Sequence, residues 1–271
     1  TQYLTLPAST DWALGTGDFT IEWWQYQTGA GTFPRVFSVG AEPASIAVSI
    51  EGGTFYFWEN GNYTFSSVLS IYLTTWVHFA ISRVSGQTSV YQNGTKLGST
   101  FSDTNNIANS SSTLAIGTES TPTADTYYTG YISNFRIIKG TGTYTTGFVA
   151  PTTTLRAVSG TVALLPLAAA PFMDMSTNLY TITNYGTTTT TASAPTLAAA
   201  TTDFTGTYAI TTTNAGATIV YNSANGGVFR KSTSSGADVM VVGPNYVTGQ
   251  SYSVFMAYKI SATSPGRLLN T

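Results

Sequence analysis

The sequence predicts an all-β fold, an antiparallel sandwich or jelly roll. Helical periodicity is nearly absent. Short runs that alternate apolar and polar residues recur along the whole chain. Turn-forming dipeptides separate these runs at regular spacing, the pattern of a many-stranded antiparallel protein.

Taken in order, the predicted strands begin with Tyr3–Leu6 and Phe19–Tyr26, separated by the Gly15-Thr16-Gly17 turn. Arg35–Val39 and Ser45–Ile50 follow, then Thr54–Trp58 after Gly52-Gly53. Asn60-Gly61 closes that strand as a tight turn, because both central residues of such a turn take positive φ. Trp76–Arg83 places Val77, Phe79 and Ile81 on one face and Trp76, His78 and Ala80 on the other. Thr88–Gln92 ends in Asn93-Gly94, a second hairpin signal. Thr113–Ile116 and Gly130–Ile138 complete the set, with Gly140-Thr141-Gly142 after them.

Composition narrows the function classes. Only 8% of residues are charged, against roughly 25% in ordinary soluble domains. Thr, Ser, Asn, Gln, Gly and Tyr must therefore cover the surface, as suits subunits that pack on one another without burying unpaired charge. An ordinary secreted β protein with a neutral polar skin fits equally. The net charge is −2 and the cations are scattered apart from Arg230-Lys231, so a phosphate-binding patch is lacking and nucleic acid is excluded as a partner. With no cysteine, a disulfide framework, a thiolate nucleophile and a thiolate zinc site are excluded. Val162 to Met173, the longest apolar stretch, is too short to cross a bilayer and holds two prolines, so no membrane insertion is expected.

Three segments together resemble a known family: D-F-T-I-E-W-W at 18–24, W-V-H-F-A at 76–80 and G-Y-I-S-N-F-R-I at 130–137. They are similar to the laminin-G-like branch of the concanavalin A-like lectin/glucanase sandwiches. The resemblance implies an all-β concanavalin A-like antiparallel β-sandwich (jelly roll). Residues 1–155 form the first such module, and a linker falls around 149–161. Residues 160–271 read as a second, partial β-sandwich module: Tyr252–Tyr258 and Arg267–Leu269 echo Phe19–Trp24 and Arg35–Phe37, and Val239–Val242 echoes Tyr3–Leu6. Leu164-Leu165, the D-M-S-T-N run at 174–178 and Tyr180–Thr183 look like the opening of that module. The first module is accordingly expected to lack its opening strands and the second to be truncated on its C-terminal side. The edges would then be completed by more of a longer polypeptide or by neighbouring subunits.

The aromatic residues carry the strongest functional signal. In Thr54–Trp58, Phe55 and Phe57 share one face and Tyr56 and Trp58 the other; Trp23 and Trp24 likewise point apart. One face of a sandwich sheet enters the core, so the outward rings are either covered by a partner or exposed as a stacking platform for sugar rings. The candidate glycan- or partner-binding residues are Trp24, Tyr26, Tyr56 and Trp58, with Asn60, Asn62 and Tyr63 positioned to bond hydroxyls. Packing between subunits accounts for the same rings and stands as the alternative.

Catalysis finds little support. Glucanase relatives carry Glu-x-Asp-x-Glu on one strand, a motif this chain lacks, and no two of its twelve acids stand two residues apart. Glu22 is the single acid in the middle of a predicted strand. His78, the sole histidine, sits in the family-like W-x-H-x-A strand and reads as a hydrogen-bonded structural residue. Laminin-G-like modules often bind calcium at a rim, which makes Asp103, Asn105, Asn106, Glu119 and Asp125 candidate ligands. Solvated polar loops explain these residues more simply, and Ser133-Asn134 stands where relatives often carry an acid.

The expectation is a non-enzymatic lectin-like protein. The Thr/Gly/Tyr-rich style and the F-R-I-x-x-G-x-x-x-Y run from Phe135 to Tyr144 look like modules of bacteriophage and other virus structural proteins. That resemblance implies a virion surface or fibre protein, one that adheres to host cell-surface glycans and assembles with other structural subunits as a homo-oligomer. A purely structural capsid or tail subunit is the alternative, and a secreted glycoside hydrolase or its accessory module the next.

Overall fold

The computed structural model describes residues 2–40, 43–108, 112–167, 172–186 and 188, with the backbone of four short strands between 210 and 242. Seven strands form one antiparallel sheet: β1 (Tyr3–Leu6), β3 (Arg35–Val39), β4 (Ile46–Glu51), β5 (Thr54–Glu59), β6 (Asn62–Val68), β10 (Leu114–Ile116) and β13 (Thr183–Tyr185). Their spatial order is β13-β1-β10-β3-β4-β5-β6. The second sheet holds β2 (Phe19–Gln27), β7 (Trp76–Val84), β8 (Gln87–Gln92), β9 (Thr95–Ser102), β11 (Gly130–Lys139) and β12 (Thr161–Leu165), in the order β12-β11-β2-β7-β8-β9. A short 3-10 turn at Thr10–Trp12 links β1 to β2. Among the described residues no helix is long and apolar enough to cross a membrane.

Alternation builds the core between the sheets. Phe19, Ile21 and Trp23 of β2 point inward, as do Val77, Phe79 and Ile81 of β7. Trp23 is the centre of the aromatic packing: its ring lies 5.6 Å from Phe37, 5.7 Å from Phe79 and 6.4 Å from Phe55. Phe37 meets Phe135 edge-on at 5.2 Å. Each such ring, taken out of water, contributes about 1.5–3 kcal/mol.

The predicted tight turns take positive φ at both central residues, with Asn60-Gly61 at 49° and 77° and Asn93-Gly94 at 49° and 78°. Two strands absent from the sequence reading, β6 and β9, follow directly from these turns. Each lies at the open side of its sheet and is largely exposed and polar, so it lacks the apolar alternation that announces a strand.

The expected division near 155–160 is crossed by the chain. β12 pairs with β11, with Phe135 opposite Leu165 and Arg136 opposite Leu164. β13 pairs with β1, with Tyr3 opposite Tyr185. Thr161–Leu165 and Thr183–Tyr185, in the stretch read above as the opening of a second module, thus occupy the outermost places in the two sheets of the first sandwich. Apolar Ala163 and Leu165 fill core space beside Phe135 and Ile137, which is the physical reason for that docking. Beyond them, β14 (Ile210–Thr212) pairs with β17 (Met240–Val242), and β15 (Ala217–Val220) with β16 (Val228–Lys231). The repeat segments Tyr252–Tyr258 and Arg267–Leu269 lie outside the described residues.

Candidate functional site

The β5–β6 hairpin raises three rings on the outer face of the seven-stranded sheet. Phe55 and Phe57 are buried in the core, so alternation turns Tyr56 and Trp58 outward. Tyr63 is the direct cross-strand partner of Trp58. The ring centroids are 6.2 Å apart for Tyr56–Trp58, 5.7 Å for Tyr56–Tyr63 and 5.6 Å for Trp58–Tyr63, the last two edge-on. Tyr63 is 59% exposed.

Polar groups beneath fix the central ring. The Trp58 indole N–H donates to Ser49 Oγ at 3.0 Å, and Ser49 donates to Glu51 Oε1 at 2.6 Å. Arg35 Nη1 lies 3.5 Å from that same carboxylate oxygen, and the guanidinium carbon sits 4.9 Å from the centre of the Trp58 ring. One face of the indole is therefore held by a cation. Asn60, in the turn, donates to the Asn106 carbonyl at 3.1 Å, and Asn62 donates to the Asn60 carbonyl at 3.2 Å. Tyr56, Trp58, Asn60, Asn62 and Tyr63 thus share one hairpin, as the sequence implied.

Trp24 and Tyr26 do not join them. They project from β2 on the outer face of the other sheet, the opposite side of the sandwich. There Tyr131, Tyr26 and Trp76 are direct partners across three strands. Their centroids are 5.9 and 5.8 Å apart, with planes tilted by 52° and 58°. Trp24 occupies the next row, 5.4 Å from His78. Sequence reasoning missed Trp76 and Tyr131 as members of this patch, because their adjacency depends on strand register.

The rest of that face lies under residues 140–150. Tyr144 and Phe148 stack at 3.7 Å and 9°, and both meet the Tyr91 ring. Below them Glu22 is fully buried. Its Oε1 accepts from Arg136 Nε at 3.0 Å and from Arg136 Nη2; its Oε2 accepts from the Tyr144 hydroxyl at 2.9 Å and lies 3.3 Å from His78 Nε2. Burial pushes the Glu22 carboxyl up, but the close approach of His78 and the Arg136 charge outweigh it and hold the carboxyl below its ordinary range. Burial, reinforced by the Glu22 charge, raises the Tyr144 phenol. Both Glu22 oxygens are committed, which leaves the carboxylate a structural part.

The five calcium candidates separate. Asp103 is buried, with Oδ1 3.4 Å from Arg83 Nη1 and Oδ2 accepting from Thr88 at 2.6 Å. Arg83 is itself fully buried and gathers the carbonyls of Gly15 (2.6 Å), Gly17 (2.8 Å) and Asn105 (3.0 Å). A guanidinium thus occupies the centre of the oxygen set that a hard cation would need. Asn105 also donates to Glu59 Oε2 at 2.9 Å. Glu59, missed in the sequence because it ends a strand, has its carboxyl pushed up to about 7, by burial first and then by the Asp103 charge. Glu119 and Asp125 follow the other end of β10, where Gly117 donates to Val36 O and Asp125 O accepts from Phe33. The five residues do not fit one calcium site. Among the described residues no group of three His, Cys, Asp or Glu side chains is placed to hold a metal.

A laminin G family model, described as the concanavalin A-like lectin/glucanases superfamily, matches residues 1–144, just over half the chain. Of solved structures, a putative carbohydrate binding protein from Bacteroides ovatus aligns over 73% of this chain and 59% of its own, with 15% identity and a TM-score of 0.55. That likeness is one of fold, and the chain spans 59% of that protein's length. A SAP-like pentraxin from Limulus polyphemus matches at 19% identity and TM-score 0.38, over 50% of this chain and 69% of that one. Domain 4 of the GH43 arabinanase AbnA from Geobacillus stearothermophilus, solved with arabinotriose, matches at 23% and 0.36, over 48% and 64%. No curated protein matches the chain.

Proposed function

The chain belongs to the concanavalin A-like lectin/glucanases superfamily, and on that premise we propose that it is a non-catalytic, lectin-like protein that binds carbohydrate through Tyr56, Trp58 and Tyr63. One observation carries the reading: three outward rings on a single hairpin, the central one fixed from below by Ser49 and Arg35. Aromatic faces take up the apolar faces of sugar rings, while the tyrosine hydroxyls and the Asn62 amide bond the hydroxyl groups around them. The non-catalytic part is supported by Glu22, whose two oxygens are held by Arg136, Tyr144 and His78.

The setting that fits best is the surface or fibre of a virion, where the protein adheres to host glycans. Its support is the charge-poor, Thr-, Gly- and Tyr-rich skin together with the run from Phe135 to Tyr144. A second reading, a structural subunit that packs without binding sugar, draws on the Tyr131–Tyr26–Trp76 row, a ring surface suited to contact with another protein.

A glycan array probed with the full chain and with Trp58→Ala tests the first reading. Binding by the parent and its loss in the variant are expected. Equal binding by both, or binding by neither, overturns it.

A further inference from the structure

Thr161–Leu165 and Thr183–Tyr185 close the sandwich along one side. β12 lies outermost in one sheet and β13 outermost in the other. The crossing between them is fixed by Asp174. Its Oδ1 accepts the backbone N–H of Leu164 at 2.9 Å and of Ser176 at 3.0 Å; its Oδ2 accepts the Ser176 hydroxyl at 2.7 Å and the Tyr180 N–H at 3.0 Å. The clasp then grips the 3-10 turn. Both the Tyr180 hydroxyl (2.6 Å) and the Asn178 amide (2.7 Å) donate to Asp11 Oδ2. Tyr185 stacks on Tyr3 at 4.4 Å and 6°.

These contacts specify register strongly, and the Asp11 acceptor lies 169 residues from Tyr180 in sequence. β12 is joined to β11, its neighbour in the sheet, by residues 140–160 rather than by a tight hairpin. The last link is a small turn in which Thr161 N–H bonds the Val158 carbonyl at 3.0 Å, with Val158 51% exposed. Opening that turn frees the clasp without disturbing the Tyr144–Phe148 cover. Without the clasp, β1 and β11 present unpaired backbone edges, which are templates for another strand. The chain also holds a second stretch patterned like the acceptor, since Val239–Val242 echoes Tyr3–Leu6 in sequence.

We infer that this clasp is exchangeable: Thr161–Leu165 and Thr183–Tyr185 of one copy close the β11 and β1 edges of a second copy. Exchange reproduces the bonds of the closed form apart from those of the opened Val158–Thr161 turn, so it costs little beyond that turn and the entropy of association, and it is a recognised route to symmetric assembly. Charge offers little opposition, because the whole chain carries only −2 with 8% charged residues. The partner is therefore another molecule of this protein, joined by strand exchange rather than by docked faces.

The cysteine-free chain allows a direct test. Thr5 and Thr183 are register partners, so full-length Thr5→Cys and Thr183→Cys chains with different tags are mixed, warmed below their melting point and oxidised. Exchange yields a disulfide-linked heterodimer. Its yield should exceed by roughly tenfold or more that of a control mixture of Thr5→Cys with Val68→Cys, because register holds the exchanged thiols at high effective concentration. Val68 is 79% exposed on the distant edge strand β6 and samples collision alone. Tyr3→Cys with Tyr185→Cys repeats the experiment at a second register pair. Yields equal to the control at both pairs overturn the inference.

Discussion

Glu22 and Arg136 face each other as direct cross-strand partners on β2 and β11, and the guanidinium holds one carboxylate oxygen through two of its nitrogens. The pair lies under the Tyr144–Phe148 stack, away from water. Removing one member leaves the other charge buried without compensation. Glu22→Ala should therefore cost about 3–5 kcal/mol. Replacing both, as Glu22→Leu with Arg136→Met, should return much of that loss, since an apolar pair avoids the desolvation cost of two ions. Urea midpoints of the single and double variants make the comparison. A double variant no more stable than Glu22→Ala would contradict the account.

Two carboxyls shifted in opposite directions divide the pH dependence of stability. Glu59 is raised in the folded state, from an ordinary 4.5 to about 7. The folded protein therefore binds its proton more tightly than the unfolded chain, and stability falls as pH rises between about 4.5 and about 7. Glu22 is lowered, so its contribution is present above its ordinary value of 4.5 and is lost as pH falls below it. Melting temperatures measured from pH 3 to pH 8 should show both limbs. Glu59→Gln should flatten the upper limb alone, because the amide oxygen still accepts from Asn105 while the titration is gone. An unchanged upper limb would rule out Glu59 as its source.

Support and contact should separate on the ring hairpin. Ser49 is buried and receives the Trp58 indole N–H. Ser49→Ala strands that donor, for a loss of about 1–3 kcal/mol in stability, and it weakens carbohydrate binding by releasing the ring. Tyr63 is exposed, so Tyr63→Ala should change stability by no more than about 0.5 kcal/mol while it lowers affinity severalfold. Denaturation and glycan titration, run on both variants, read the two effects. Equal losses of stability would show that Tyr63 is a structural residue.

What was legible in the sequence was what local chemistry controls. The alternation of Trp76–Arg83 placed Val77, Phe79 and Ile81 inward and His78 outward, and Asn60-Gly61 and Asn93-Gly94 gave the turns. The strands β6 and β9 were hidden because a polar outermost strand is defined by its neighbour rather than by its own pattern. Register and sheet membership were hidden for the same reason: register set Trp76 beside Tyr26 and Tyr131, and the division into two sheets separated Trp24 and Tyr26 from Tyr56 and Trp58. At the rim, Arg83 ends an apolar run, and nothing local indicated that its side chain would turn inward and collect the oxygens considered for a metal. The docking of β13 on β1 joins Tyr3 to Tyr185, and that of β12 on β11 reaches across the whole 140–160 segment; both are beyond the reach of any short pattern.

Two left-handed glycines give the last prediction, because one is crowded and the other is not. Gly52, at φ 55°, has nothing within 4 Å of an added Cβ. Gly94, at φ 78°, would set that Cβ 1.8 Å from the Phe148 carbonyl oxygen, on the backbone that bonds Gly94 O through Phe148 N–H at 3.0 Å. Both alanine variants carry the left-handed backbone cost of roughly 1–2 kcal/mol. Gly94→Ala must also lift Phe148, unstacking Tyr144 and exposing the Glu22–His78 pair to water. Gly52→Ala should lose the backbone term alone, and Gly94→Ala clearly more. Hydrogen exchange should quicken across residues 141–150 in Gly94→Ala while β1 and β13 keep their protection. Equal destabilisation by the two substitutions, with exchange unchanged over 141–150, would mean that the 140–150 cover contributes nothing to the fold.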